Sequence, residues 1–244
     1  MRRFYYPERI EIDTKIKIEN ELYNHIVNVV KIKKDENFII FNSESGNFFC
    51  VLKNIENRFG ELEVLYKLPE KEKNNFKISV YQCIPKGNIL NEIIERNVEL
   101  GVTSFTPIVS ERTIKRTKEL KKRWLEIIKH STEQCGRTDL MKVNMPIMFN
   151  EIFNNHFQGK KLICYENSEN IINIENFKGF NDFHIILGPE GGFTINEIEK
   201  ANGSGFESIS LGKNILKCLT ANILAIGFIS LIKSCLLYTS DAAD

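Results

Sequence analysis

The hydrophobic pattern divides the chain into two parts with different rhythms. In the first part, short runs rich in β-branched and aromatic residues predict three strands, at 38–42, 48–52 and 61–66. The polar turn 43–47 predicts a hairpin between the first two, and one helical stretch around 22–30 precedes them. This pattern is typical of a small β-barrel or sandwich and predicts a first domain over residues 1–70.

From Phe76 onwards, predicted strands alternate with predicted helices. Further strands are expected at 161–166, 183–187 and 207–211, and apolar residues at helical spacing follow the last two. Thr117 predicts the N-cap of a helix that ends near Gly136. Alternation of this kind indicates an α/β domain, residues 76–233, with a mostly parallel sheet covered on both faces. Residues 234–244 have no helical periodicity and are expected to be a non-native or disordered tail.

Composition narrows the function only slightly. With 244 residues, 42% hydrophobic and a net charge of +1, the chain can bury real cores but has no global field that would indicate a nucleic-acid partner. The six cysteines and four histidines are dispersed without zinc-site spacing, so no metal is expected, and unpaired cysteines favour the cytoplasm. The apolar stretch 219–232 is too short for a confident membrane span and predicts a buried helix.

A glycine-rich loop, residues 188–192, is the first candidate site. It separates the predicted strand 183–187 from a capping box formed by Thr194 and Glu197, and ligands bind at such strand ends in open α/β sheets. The loop matches neither phosphate-loop pattern, and Glu190 would repel a phosphate. A purine cofactor without phosphates, such as S-adenosylmethionine, suits it better, although glycines that only form tight turns would look the same.

A second loop repeats the scheme of strand, glycine and apolar helix. Gly212 follows the strand 207–211 and precedes the apolar stretch 219–232. Two glycine turns at neighbouring strand ends are expected to line one pocket.

The two loops and four further blocks resemble the ribosomal RNA small-subunit methyltransferase E family of the SPOUT superfamily. The loops read "ILGPEGGFTINEIEKA" and "SLGKNILKCLTANILAI". The further blocks occur in the same order as in the family, at residues 1–6, 25–36, 97–113 and 123–137. Together the blocks cover nearly the whole chain up to Lys233, which is far more specific than any one of them.

The resemblance implies a fold, a reaction and a partner. The fold would be a PUA-like N-terminal β-barrel that helps hold RNA and a SPOUT-type C-terminal domain with a deep trefoil knot. The reaction would be S-adenosylmethionine-dependent methylation of N3 of a uridine in small-subunit (16S) ribosomal RNA, free or in the assembled 30S subunit, by a cytoplasmic homodimer that forms through the C-terminal domain. By position, the cofactor-binding residues would be Leu187, Gly188, Glu190, Gly191, Gly192, Leu211, Gly212, Ile215, Leu216, Lys217, Thr220 and Ala221.

Two positions depart from the family pattern. Leu219 stands where the family usually has Glu before Thr-Ala, and Lys217 stands where it usually has Arg, so the charge remains but the planar guanidinium is lost. The missing carboxylate keeps two alternatives open: an RNA-binding paralogue with weak or no activity, and a SPOUT methyltransferase that acts on another RNA.

No general base can be assigned from the sequence. Glu190, Arg112 and Arg137 are the catalytic candidates, although Glu190 could equally anchor its loop. The RNA-binding candidates are basic residues of matched blocks and basic runs, where solvated helix faces are the common alternative. They are Arg2, Arg3, Lys31, Arg112, Lys115, Arg116, Arg123 and Arg137.

Overall fold

The computed structural model describes residues 1–69, 74–114 and 117–240. Its contacts group the chain into two compact units. The first comprises residues 1–72 and 129–140, and the second comprises residues 73–128 and 141–244. Helix α3, Lys122–Cys135, therefore contributes its first half to the second unit and its second half to the first.

The first unit is built on a five-stranded sheet in the order β1-β3-β4-β5-β2. A short helix α1, Asn20–Tyr23, runs directly into a π-helical turn, Asn24–Val29. Alternate residues of the strands point inward, which places Phe38, Ile40 and Leu52 in one core. The strands are β1 Arg3–Tyr5, β2 Lys15–Glu19, β3 Asn37–Asn42, β4 Gly46–Ile55 and β5 Phe59–Lys67. The three predicted strands and the hairpin between the first two are confirmed.

The second unit contains the predicted parallel sheet, in which every pairing between its strands is parallel. The order is β12-β10-β11-β6-β7-β8, and β9 pairs with β7. The sequence did not predict β8 and β9 because two residues carry no periodicity. The strands are β6 Lys77–Cys83, β7 Ser104–Val109, β8 Lys142–Val143, β9 Ile147–Met148, β10 Lys160–Cys164, β11 Asp182–Leu187 and β12 Glu207–Ile209.

Helices pack on both faces of this sheet. Ile186 of β11 lies in one apolar cluster with Ile198 of helix α4, Ile195–Gly203. Phe183, three residues earlier on β11, points to the opposite face, where it packs against Phe177. Phe177 in turn contacts Phe228 of the last helix, α5, Cys218–Ser240. Helix α2, Ile89–Glu99, packs against α5, and 3₁₀ turns occupy Phe149–Asn154 and Ile174–Phe177.

Two sequence expectations differ from the structure. The helix expected from Thr117 begins five residues later, at Lys122. Thr117 Oγ1 instead accepts the Glu119 N–H at 3.3 Å, so the hydroxyl closes a local turn. The tail expected from Ser234 is helical as far as Ser240, because α5 continues through that boundary.

Among the described residues, one helix is long and apolar enough to cross a membrane by length and composition, and that helix is α5. Within Cys218–Cys235, 39% of the residues are buried. A core helix of a globular domain can be equally long and apolar, and α5 packs against α2 and β11. We therefore describe it as a packed helix of the second unit.

The close pairing of β10 and β11 depends on a glycine. Gly159, just before β10, has φ +90°, and a Cβ there would lie 2.2 Å from the Asp182 carbonyl oxygen. Gly179 has a similar φ of +73° but open space around its Cβ position. Alanine substitutions at Gly159 and Gly179 therefore separate the free-energy cost of a left-handed backbone from the cost of a steric clash.

We expect Gly159→Ala to lower the free energy of unfolding by about 2 kcal/mol more than Gly179→Ala does. Both variants impose the left-handed conformation on an alanine, but only Gly159→Ala pushes β11 away. Chemical denaturation of the two variants and the parent chain measures the difference. Equal losses would show that the sheet absorbs the extra methyl group.

Candidate active site

Three loops leave the same edge of the parallel sheet and enclose one cavity. Strand β10 lies between β11 and β12, so the carboxyl ends of the three strands are neighbours. Residues 164–166, 187–190, 192–193, 210–212 and 214–221 follow or end these strands and line a cavity of about 720 Å³. A volume of this order is typical of a small-molecule or cofactor site.

The cavity brings together most of the predicted cofactor-binding residues. Eleven of the twelve line it, from both glycine loops, and Gly191 is the exception. Sequence reasoning missed a third wall, which comprises Cys164, Tyr165 and Glu166 at the end of β10 and Ile89 and Glu92 of α2. The rule that located the glycine loops, ligand binding at strand carboxyl ends, would also have found 164–166.

Local chemistry fixes the path of the first loop. Gly192 has φ +69°, a left-handed conformation that favours glycine, and a Cβ there would lie 2.7 Å from Glu166 Oε1, so a side chain would displace that carboxylate. The Gly192 N–H donates to the Pro189 carbonyl at 3.0 Å. The predicted capping box is confirmed: Thr194 Oγ1 accepts the Glu197 N–H, and Glu197 Oε2 accepts the Thr194 N–H at 2.9 Å. The loop therefore enters α4 in a fixed direction.

Two of the catalytic candidates hold this loop in place. Glu190 Oε1 accepts the backbone N–H of Lys86 at 2.8 Å, which ties the loop to the segment after β6. Arg112 Nη1 donates to the Gly191 carbonyl oxygen at 2.8 Å. Both side chains form hydrogen bonds with backbone groups at the loop, so both residues have a structural role there.

A buried chain of amide side chains connects the loop to two helices. Gln82 Nε2 donates to the Gly188 carbonyl oxygen at 3.3 Å, and Gln82 Oε1 accepts from Asn222 Nδ2 at 3.1 Å. Asn222 Oδ1 accepts from Asn97 Nδ2 at 2.6 Å. All three amides are fully buried, one each on β6, α5 and α2. Sequence reasoning missed them, although Asn97 and Asn222 are polar interruptions of apolar helical faces.

Two thiols in the cavity wall are unreactive. Burial, reinforced by the charge of Glu190, raises the pKa of Cys218 to about 11, and burial raises the pKa of Cys164 to about 12. Both remain protonated at neutral pH, and the thiol is a poor nucleophile compared with the thiolate.

Charged side chains in the wall are mainly acidic. Glu92, Glu166 and Glu190 line the cavity, and Lys217 is the basic residue among its described lining residues. Such a wall repels phosphate groups. It suits a ligand with an uncharged sugar and base and a positive charge of its own.

Two of the RNA candidates of the first unit, Arg2 and Arg3, already have partners within it. Arg2 Nη1 donates to the Val30 carbonyl at 3.0 Å. Arg3 lies over the Phe41 ring at 4.4 Å and donates to Asn47 Oδ1. Lys31 is exposed and has φ +60°.

Arg137 is also held within the first unit. Its Nη2 contacts Asp139 Oδ2 at 2.7 Å, and its side chain is 15% exposed. In the second unit, Arg123 is exposed on α3. Lys115 and Arg116 lie outside the described residues.

Comparison with known families identifies the class. A family model described as an RNA methyltransferase domain matches residues 71–230, and one described as an RNA methyltransferase PUA domain matches residues 18–65. The first match covers more than half of the chain, so the protein is an RNA methyltransferase by family.

Individual relatives narrow the family. The ribosomal RNA small subunit methyltransferase E of Mesomycoplasma hyopneumoniae is 34% identical over 91% of this chain and 96% of its own. The protein of the same name from Buchnera aphidicola is 30% identical over 92% and 93%. The chain belongs to the ribosomal RNA small subunit methyltransferase E family.

Solved structures agree with this assignment. The ribosomal RNA small subunit methyltransferase E of Neisseria gonorrhoeae, bound to S-adenosyl methionine, has a TM-score of 0.88 at 29% identity, over 95% of this chain and 98% of its own. A Legionella pneumophila protein in complex with the cofactor SAM has a TM-score of 0.84 at 25% identity, over 94% and 96%. The α/β fold with a PUA-like N-terminal domain is thus shared with cofactor-bound relatives.

We expect Asn222→Ala to lower the free energy of unfolding by about 1–3 kcal/mol, because Gln82 Oε1 and the Asn97 amide would lose a buried partner. Ser234→Ala is the matched control on the same helix, since its hydroxyl bonds only to the Ser230 carbonyl one turn back. Denaturant titration of both variants measures the loss. A loss for Asn222→Ala no larger than that of the control would contradict a stabilising role for the amide chain.

Proposed function

We propose that the protein methylates small-subunit ribosomal RNA with S-adenosylmethionine as the methyl donor, and that the target is N3 of one uridine in 16S RNA. The observation that carries the proposal is the single cavity lined by both glycine loops. A relative with the same fold, from Neisseria gonorrhoeae, binds S-adenosyl methionine. RNA methylation takes place where ribosomes are assembled, so the proposed location is the cytoplasm.

The residues of the cavity fit this cofactor. Gly188, Gly192 and Gly212 line the cavity, and glycine turns let backbone N–H and C=O groups approach an adenine edge. The carboxylates of Glu92, Glu166 and Glu190 suit ribose hydroxyl groups and positive charge. When bound, the cofactor supplies an electrophilic methyl group without a metal.

The protein must then orient the uridine and stabilise its anion. Uridine N3 carries a proton, and its loss places negative charge on O2 and O4. Lys217 is the basic side chain at the cavity wall and is our candidate donor to one of these oxygens. N3 lies on the Watson–Crick edge, so the base must be unpaired before it can enter the site.

We further propose that residues 76–233 form a trefoil knot and that the protein is a homodimer through this domain. Ile223, Leu224 and Leu231 lie at helical spacing on α5 and are 36%, 41% and 66% exposed, which supports an apolar face for a second copy. Ile226, on the same helix, is fully buried within its own unit.

Mass spectrometry of nuclease-digested RNA tests the function. Incubation of the protein and S-adenosylmethionine with small-subunit RNA, free and in assembled subunits, should yield one 3-methyluridine per RNA. Omission of the cofactor is the control. A methylated base of another kind would reject the N3 assignment, and transfer only to a different RNA would support a methyltransferase that acts on another RNA.

Leu219 gives a specific reason to keep the inactive paralogue as a second candidate, since it lines the cavity where the family pattern has a carboxylate. The same assay with Leu219→Glu distinguishes an active methyltransferase from the inactive paralogue. Leu219→Gln, which has a similar shape without the charge, is the control. If the parent chain binds cofactor without turnover and Leu219→Glu restores it, the paralogue is the correct description.

We expect Arg112→Ala to weaken S-adenosylmethionine binding about fivefold. The substitution removes the hydrogen bond from Arg112 to the Gly191 carbonyl oxygen, which holds the glycine loop in place. The control is Arg123→Ala, which removes an exposed arginine from α3, outside the cavity lining, and should leave the affinity unchanged. Calorimetry with the cofactor alone measures both, so RNA contacts do not contribute. Equal affinities of the two variants would mean that the loop holds its shape without Arg112.

A further inference from the structure

Two histidines and a glutamate from distant parts of the chain meet within the first unit. His25 belongs to the π-helical turn Asn24–Val29, and His130 and Glu133 lie one turn apart on α3. Glu133 Oε2 lies 3.6 Å from His25 Nε2 and 3.4 Å from His130 Nδ1. The three ligand atoms all lie within 4.8 Å of one another. None of these residues lines the cofactor cavity.

We propose that His25, His130 and Glu133 form a binding site for a transition-metal ion of the Zn²⁺ class. A tetrahedral Zn²⁺ with bonds of about 2.0–2.1 Å requires ligand atoms about 3.3 Å apart. The two distances to Glu133 Oε2, 3.6 and 3.4 Å, are close to that edge length. Two imidazoles and one carboxylate are a donor set that Zn²⁺ takes, with water in the fourth position.

The surroundings hold the ligands in suitable orientations. Glu133 Oε1 accepts the Tyr5 backbone N–H at 3.0 Å, which leaves Oε2 directed at the two imidazoles. The His25 ring packs edge-on against Phe4 at 5.5 Å, which restricts its rotation. The Glu133 side chain is 8% exposed and that of His130 is 55% exposed, so the site has a buried floor and an open entrance.

A bound ion would connect two segments of the first unit. The π-helical turn belongs to residues 1–72 of that unit and α3 contributes residues 129–140 to it. An ion bound by both segments would stabilise the folded unit by RT ln(1 + [Zn²⁺]/Kd). Because its three ligands do not line the cofactor cavity, we assign the ion a structural role.

Titration of the full chain, without a histidine tag and freed of metal, with Zn²⁺ tests the proposal. We expect one ion per chain by calorimetry, a higher Tm in Zn²⁺, and visible absorption of tetrahedral Co²⁺ when Co²⁺ replaces it. His130→Ala, a change at an exposed position, should weaken the affinity at least about tenfold. His156→Ala is the matched control, since His156 is also exposed and lies in the second unit.

Glu133→Gln provides an independent check, because its amide oxygen can still accept the Tyr5 N–H while the carboxylate ligand is lost. Weakened Zn²⁺ binding in both His130→Ala and Glu133→Gln, with normal binding in His156→Ala, supports the site. Absence of Zn²⁺ binding by the parent chain overturns it. Unchanged binding in His130→Ala also overturns it, since the ion would then be held elsewhere, for example by cysteines.

Discussion

The parallel pairing of β12, β10 and β11 is the constraint on which the site depends. Because the three strands run in the same direction, their following loops must leave at one edge, and the cavity lies between them. An antiparallel neighbour would have sent one loop to the opposite end of the sheet. Next to the β10–β11 pairing, Gly159 lets the backbone pass close to the Asp182 carbonyl oxygen.

The sequence predicted the elements whose side chains repeat regularly. Strand β11 and the capping box of α4 could be recognised because their signals are local: a β-branched run, and a Thr three residues before a Glu. The start of α3 could not be placed, because Thr117 closes a turn as readily as it caps a helix. The two glycine loops were located by the same local signals, and their shared cavity followed from the parallel order.

Long-range polar contacts were beyond sequence reasoning. Nothing in the spacing of Gln82, Asn97 and Asn222 indicates that three amides from different elements meet. The same holds for His25 and Glu133, which a spacing rule for zinc sites would never join. Such contacts depend on the tertiary arrangement, and a single sequence carries no signal for them.

The raised pKa values of Cys164 and Cys218 bear on how the protein tolerates stress. Peroxide and electrophiles attack the thiolate, and almost none is present at these two positions at neutral pH. Oxidants should therefore spare the cavity until they reach concentrations that damage thiols without regard to their ionisation. A cavity with two thiols in its wall can in this way resist oxidation.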